Sequence, residues 1–277
     1  MDNFLQNIIS SQIDYEGQKQ DEKFLKLFCD LYRIELFKDG LDLILTKLQS
    51  QELRFEIKYI KGWDTNVGCF LTQGQSFMDK VSNKFFHQKK LKIILRSLNY
   101  NVLAHEMAHA LEYESRINLG EEFRQAIGFD MKDRQAQLIP LRFEIQRLMV
   151  DALKAYKPQQ FLSELFARYF ELLSISRNVI SNGDFTTSEV MDFFANTTKF
   201  IDKIFNPQIR PMIDPKIAQT TIEIANKVKL IEPQTFFKDK VESRINKTNG
   251  SWTKGIKSNA SWQESWQKVQ QINDDKK

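Results

Sequence analysis

Histidine is scarce in this chain, with three residues among 277. Cysteine is scarcer, with only Cys29 and Cys69. Two thiols cannot build a disulfide framework, so a small stapled scaffold is excluded and both are expected to be reduced. Ten glycines and six prolines leave little material for tight turns and argue for a helix-rich chain. No run approaches ~18 consecutive apolar residues, which excludes a helical membrane span. The start, Met1-Asp2-Asn3-Phe4, has no basic region followed by an apolar one. The expected location is therefore cytoplasmic, or outside the cell by a route that needs no Sec-type signal peptide. An excess of one charge sign is also missing: 40 Lys/Arg against 36 Asp/Glu give a net charge of +4. Residues 238–277 hold 9 Lys/Arg and 5 Asp/Glu, so the excess lies entirely there and the rest is neutral. That balance argues against nucleic acid as a partner.

What is present is apolar and periodic. A hydrophobic content of 42% with 22 phenylalanines can fill one large core or two small ones. Helices are expected over 3–13 and 21–38, where Phe24, Leu27, Phe28, Leu31 and Ile34 recur at spacings of three and four. Gly40 reads as a break before another helix over 41–50. The period then changes to two: Leu53, Phe55, Ile57 and Tyr59 alternate with Arg54, Glu56 and Lys58, a half-buried strand. Gly62, Asp64, Asn66 and Gly68 mark a turn region before a second strand over 67–72, and 92–96 is a third. Beyond Arg96 the chain reads as helical: a helix capped by Asn99 or Asn101 and ending near Asn118, one over 133–156 bent or interrupted at Pro140, and one over 159–175. Further helices are expected from Thr187 or Ser188 to Phe205, over 215–230 and over 234–247. The fold class is thus α+β, predominantly α-helical. Three of the four tryptophans, Trp252, Trp262 and Trp266, lie in a polar tail over 248–277. The tail is expected to be flexible, or to dock a protein partner through those rings.

Two of the three histidines stand four apart in His105-Glu106-Met107-Ala108-His109. On a helix that spacing puts both imidazoles on one face, within reach of one metal ion. Glu106 is then placed to take a proton from water at the metal. A catalytic zinc site has three protein ligands and an open position. No histidine follows closely, which leaves a downstream carboxylate as the third ligand. Ser163-Glu164-Leu165-Phe166-Ala167-Arg168-Tyr169-Phe170-Glu171 holds the best candidate, Glu164, 55 residues beyond His109. Glu171 is expected to orient a histidine or pair with Arg168. Glu112 and Asp151 are lesser candidates as ligands. Arg168, Tyr169 and His87 are candidate donors to a developing oxyanion.

These residues resemble the gluzincin branch of the zincin metallopeptidases. The segment from Ser163 to Glu171 is also similar to the E-x-F-A-R-x-F-E stretch of zincin-like domains in large polyvalent phage and bacterial proteins. The resemblance covers roughly residues 50–175. It implies a short mixed sheet before the motif helix, His105, His109 and Glu164 as zinc ligands, and Glu106 as general base. On this reading residues 1–50 are an N-terminal helical segment, 51–178 the zincin-like core and 179–247 a C-terminal helical subdomain. The expected activity is zinc-dependent peptide-bond hydrolysis on a protein or peptide substrate, in a bacterial or mobile-element setting. The substrate would lie along an exposed strand edge, for which Gly68, Gly74 and Gln75 allow close backbone approach. Two alternatives stand beside it: an inactive zincin-like module that binds a partner, and a zinc amidohydrolase or deamidase.

Overall fold

The computed structural model describes residues 3–17, 19–58, 68–72, 76–79, 84–87, 91–96, 98–116, 119–133, 138–151, 154, 156–180 and 183–227. The expected helix over 234–247, the tryptophan tail, Gly62, Gly74 and Gln75 lie outside them.

The chain opens with α1 (Asn3–Gln12), β1 (Ile13–Tyr15), α2 (Asp21–Tyr32) and α3 (Lys38–Gln49). Five strands follow: β2 (Leu53–Ile57), β3 (Gly68–Leu71), β4 (Ser76–Asp79), β5 (Lys84–His87) and β6 (Leu91–Leu95). Beyond them come α4 (Tyr100–Ser115), α5 (Glu121–Asp133), α6 (Ile139–Ile145), α7 (Phe161–Ser174), α8 (Thr187–Phe193), α9 (Ala195–Phe200), α10 (Asn206–Ile209) and α11 (Pro215–Lys227). The fold is α+β and mostly helical, with a small mixed sheet.

The sheet runs β1-β2-β6-β3. β1 is parallel to β2 and β2 to β6, with Phe55 opposite Ile93, whereas β3 runs antiparallel to β6, with Cys69 opposite Ile94. Phe55 and Ile93 are fully buried, as the alternation in β2 requires. β4 and β5 pair separately as a two-stranded ribbon, with His87 opposite Ser76. One cluster of buried side chains reaches from Ile8 to Ala225. Phenylalanines link its parts: Phe37 stacks on Phe170 at 4.6 Å between ring centres, Phe170 meets Phe166 at 5.0 Å, and Phe166 meets Phe123 at 5.8 Å. No helix among the described residues is long and apolar enough to cross a membrane.

Several local expectations change. Gly40 does not break a helix but lies inside α3, where a Cβ would stand 2.7 Å from Leu111 Cδ1. It is there for close packing of α3 on α4. Pro140 does not bend a long helix; it occupies the first turn of α6, where its missing N–H costs nothing. A separate helix, α5, ends at Asp133. The span from Thr187 to Phe205 is α8, α9 and a π-helical turn, and its cap is Thr186, one residue earlier than expected. Thr186 and Glu189 form a reciprocal capping box. α4 ends at Ser115 rather than near Asn118, because Arg116 turns left-handed at φ 51°.

Candidate metal centre

α4 and α7 each carry a polar stripe through an apolar surface. On α4 it runs Asn101, His105, His109, Glu112; on α7 it runs Glu164, Arg168, Glu171. Spacings of three and four keep each stripe on one helical face. The contacts run in opposite senses along the two helices. Asn101 Nδ2 donates to Glu171 Oε1 at 3.2 Å, and His105 Nδ1 faces Glu171 Oε2 at 3.3 Å. At the other end Ser163 Oγ lies 3.1 Å from His109 Nδ1 and hydrogen-bonds Glu112. The helices are therefore antiparallel, and buried Ala104, Ala108 and Ala167 let them approach closely.

In the middle His105 Nε2 and His109 Nε2 are 3.2 Å apart. Each lies 3.6 Å from a Glu164 oxygen, Oε2 for His105 and Oε1 for His109. Atoms bound at about 2.0–2.1 Å to a tetrahedral zinc stand about 3.3–3.5 Å from one another. The triangle has that size. Its electrostatics point the same way. His105 Nδ1 makes no hydrogen bond, but the Glu171 carboxylate 3.3 Å away favours the hydrogen on that nitrogen, which leaves the lone pair on Nε2. That lone pair faces a second imidazole nitrogen and a carboxylate, an arrangement that a shared proton or a metal ion makes favourable. Glu164 Oε2 is buried and has no hydrogen-bond partner. Among the described residues, His105, His109 and Glu164 are the group able to hold a metal.

The surrounding charges are ordered by burial and partners. Burial opposes ionisation of Glu171, yet His105, Arg168 and Asn101 hold its carboxyl down at about 2. Arg168 Nη1 donates to Glu171 Oε2 at 2.6 Å. Burial also opposes ionisation of Glu164, and His109, His105 and Arg168 outweigh it, lowering its pKa. Glu106 goes the other way: burial raises it and the Glu164 charge adds, against His105, His109 and Arg168. Burial alone would lower His109, but Glu112 and Glu164 raise it to about 9. A proton and a metal ion thus compete for the same nitrogen.

Glu106 sits on α4 beside the triangle and against β3. A Cβ on Gly68 would lie 2.8 Å from Glu106 Cγ and Oε1 and from Val102 Cγ1. Only glycine leaves that carboxylate where it is. If the cluster is catalytic, Gly68→Ala is expected to cut turnover about 10-fold or more without changing metal content. Kinetics beside metal analysis check it, and equal turnover would refute the contact.

The remaining expected site residues are dispersed. Tyr169 is fully buried and its hydroxyl bonds Thr198 Oγ1 at 2.8 Å, away from the triangle. Asp151 pairs with Lys154 Nζ at 2.7 Å and is not in the cluster. His87 stands in the β4–β5 ribbon. Tyr156, which sequence reasoning did not single out, lies near Glu164 and Arg168; burial, with the Glu164 charge adding, raises its hydroxyl pKa against Arg168. Nothing in its neighbourhood of sequence marks it. Asn101 continues the α4 stripe at a spacing of four, whereas Ser163, next to Glu164, lies off the α7 spacing. Comparison with protein-family models, with curated proteins and with solved structures finds no match in any of the three.

Proposed function

We propose that this chain is a zinc-dependent hydrolase acting on peptide bonds. The observation that carries the proposal is the convergence of His105 Nε2 and His109 Nε2, 3.2 Å apart, on the Glu164 carboxylate, each nitrogen 3.6 Å from a different oxygen of it, beside the buried carboxylate of Glu106. Two imidazoles and one carboxylate suit zinc. Zinc held there supplies Lewis acidity that brings water toward a pKa of ~7. Glu106, whose burial raises its basicity, takes the proton from the attacking water and passes it to the leaving amine. Tyr156 and Arg168 stand beside Glu164 as donors to the oxyanion. β3 is the last strand of the sheet and its first residue packs on Glu106. An extended peptide added along that edge would bring its backbone to the base, which favours a peptide over a smaller amide.

Zinc-reconstituted protein incubated with a peptide library, read by mass spectrometry, tests this. The expected result is pairs of fragments whose masses sum to the substrate plus water, lost with a chelator and regained with zinc. A one-dalton change in an intact peptide would instead assign an amidohydrolase. Bound zinc with no product would assign a binding module.

A further inference from the structure

The outer end of the polar stripe holds two residues that neither the ligand triangle nor the base accounts for. Ser163 Oγ lies 3.1 Å from His109 Nδ1 and makes a short hydrogen bond to Glu112 Oε2. Glu112 Oε2 itself stops 3.8 Å from His109 Nδ1, beyond hydrogen-bond distance. In that bond the hydroxyl donates and Glu112 accepts. The Ser163 lone pair then faces His109 Nδ1, and that nitrogen carries the hydrogen.

We propose that Ser163 and Glu112 are positioning residues for the metal centre, a two-member relay that sets the tautomer and ring plane of His109. The inference rests on the zinc reading above. With the hydrogen kept on Nδ1, the nitrogen left for a metal is His109 Nε2, which faces His105 Nε2 and Glu164. It also explains why a serine directly precedes the third ligand: consecutive residues of α7 then hold both nitrogens of one imidazole, Ser163 on Nδ1 and Glu164 on Nε2. The two histidines are held by different devices. His105 faces a carboxylate directly, and that carboxylate is locked by Asn101 and Arg168. His109 reaches its carboxylate through a hydroxyl, and the Glu112 side chain is 24% exposed against 4% for Glu171. The His109 side of the centre therefore depends on one small hydroxyl group.

Zinc affinity measured by competition with a chromophoric chelator tests the relay on the full chain. Ser163→Ala and Glu112→Gln are expected to weaken zinc binding about 10- to 100-fold, and Ser163→Thr, which keeps the hydroxyl, to restore it to within a few-fold. Imidazole nitrogen NMR of the zinc-loaded wild type should show His109 protonated at Nδ1. That measurement needs no variant, and His109 protonated at Nε2 would overturn the relay even if the alanine variant did not fold. Wild type that binds zinc, with Ser163→Ala binding it equally well, would also overturn the relay and leave the zinc reading standing. Wild type that takes up no zinc would overturn both.

Discussion

Glu106→Gln is expected to leave zinc in place and lower kcat by about 100- to 10,000-fold. The amide has the same size and fits the same space under Gly68, where a Cβ would already be too close. It can donate and accept hydrogen bonds, but it cannot take a proton from water near neutral pH. Glu106 is not among the residues that converge on the metal position, so metal content should stay unchanged. Substitution of a ligand does the opposite: Glu164→Gln weakens zinc itself, and activity follows occupancy. Measuring kcat and bound zinc on both variants separates the roles. Turnover by Glu106→Gln at the wild-type rate would remove the proposed base. The readout should fall on kcat more than on KM, because the proton is taken only as the bond to water forms.

The parts of this centre that could be read from sequence are the parts written in local spacing. His105 and His109 are one turn apart, and Glu164, Arg168 and Glu171 share a face by the same rule. The order of the sheet is not local. β1 is three residues long, follows α1 with no turn signal, and is recognisable as a strand only by its pairing with Phe55–Ile57. The expected helix over 3–13 therefore absorbed its first residue. α5 was not assigned although Phe123 and Ile127 are one turn apart, since Phe129, 54% exposed, breaks the apolar face that spacing would mark. Its buried Asp130 accepts from the backbone N–H groups of Asn196 and Thr197 at the start of α9, 66 and 67 residues away. No spacing rule links such a pair. Thr186 is different, because Thr-x-x-Glu is a local signature and Glu189 completes it. The cap was legible one residue before the position assigned.

The same distinction between local pattern and packing explains a stability effect with no sign in the sequence. Asp42 lies on α3 and is only 4% exposed. Tyr32 OH donates to its Oδ2 at 2.9 Å, while Oδ1 has no hydrogen-bond partner. Burial, with Asp39 adding, raises its pKa from 3.8 to about 7, against Tyr32, Thr221 and Lys38. Thr221 on α11 gives its own hydroxyl proton to the Ile217 carbonyl at 2.8 Å. Because the folded value lies above the unfolded one, the contribution is complete below pH ~4 and lost as pH rises through about 7. A rise of that size corresponds to a stability loss on the order of 4 kcal/mol across the interval. Asp42→Asn removes the ionisation and keeps an acceptor for Tyr32. Urea unfolding at pH 4 and pH 8 should show the variant near wild type at the lower pH and more stable by a few kcal/mol at the higher. A difference between the two proteins that does not change with pH would show that Asp42 stays ionised in the fold.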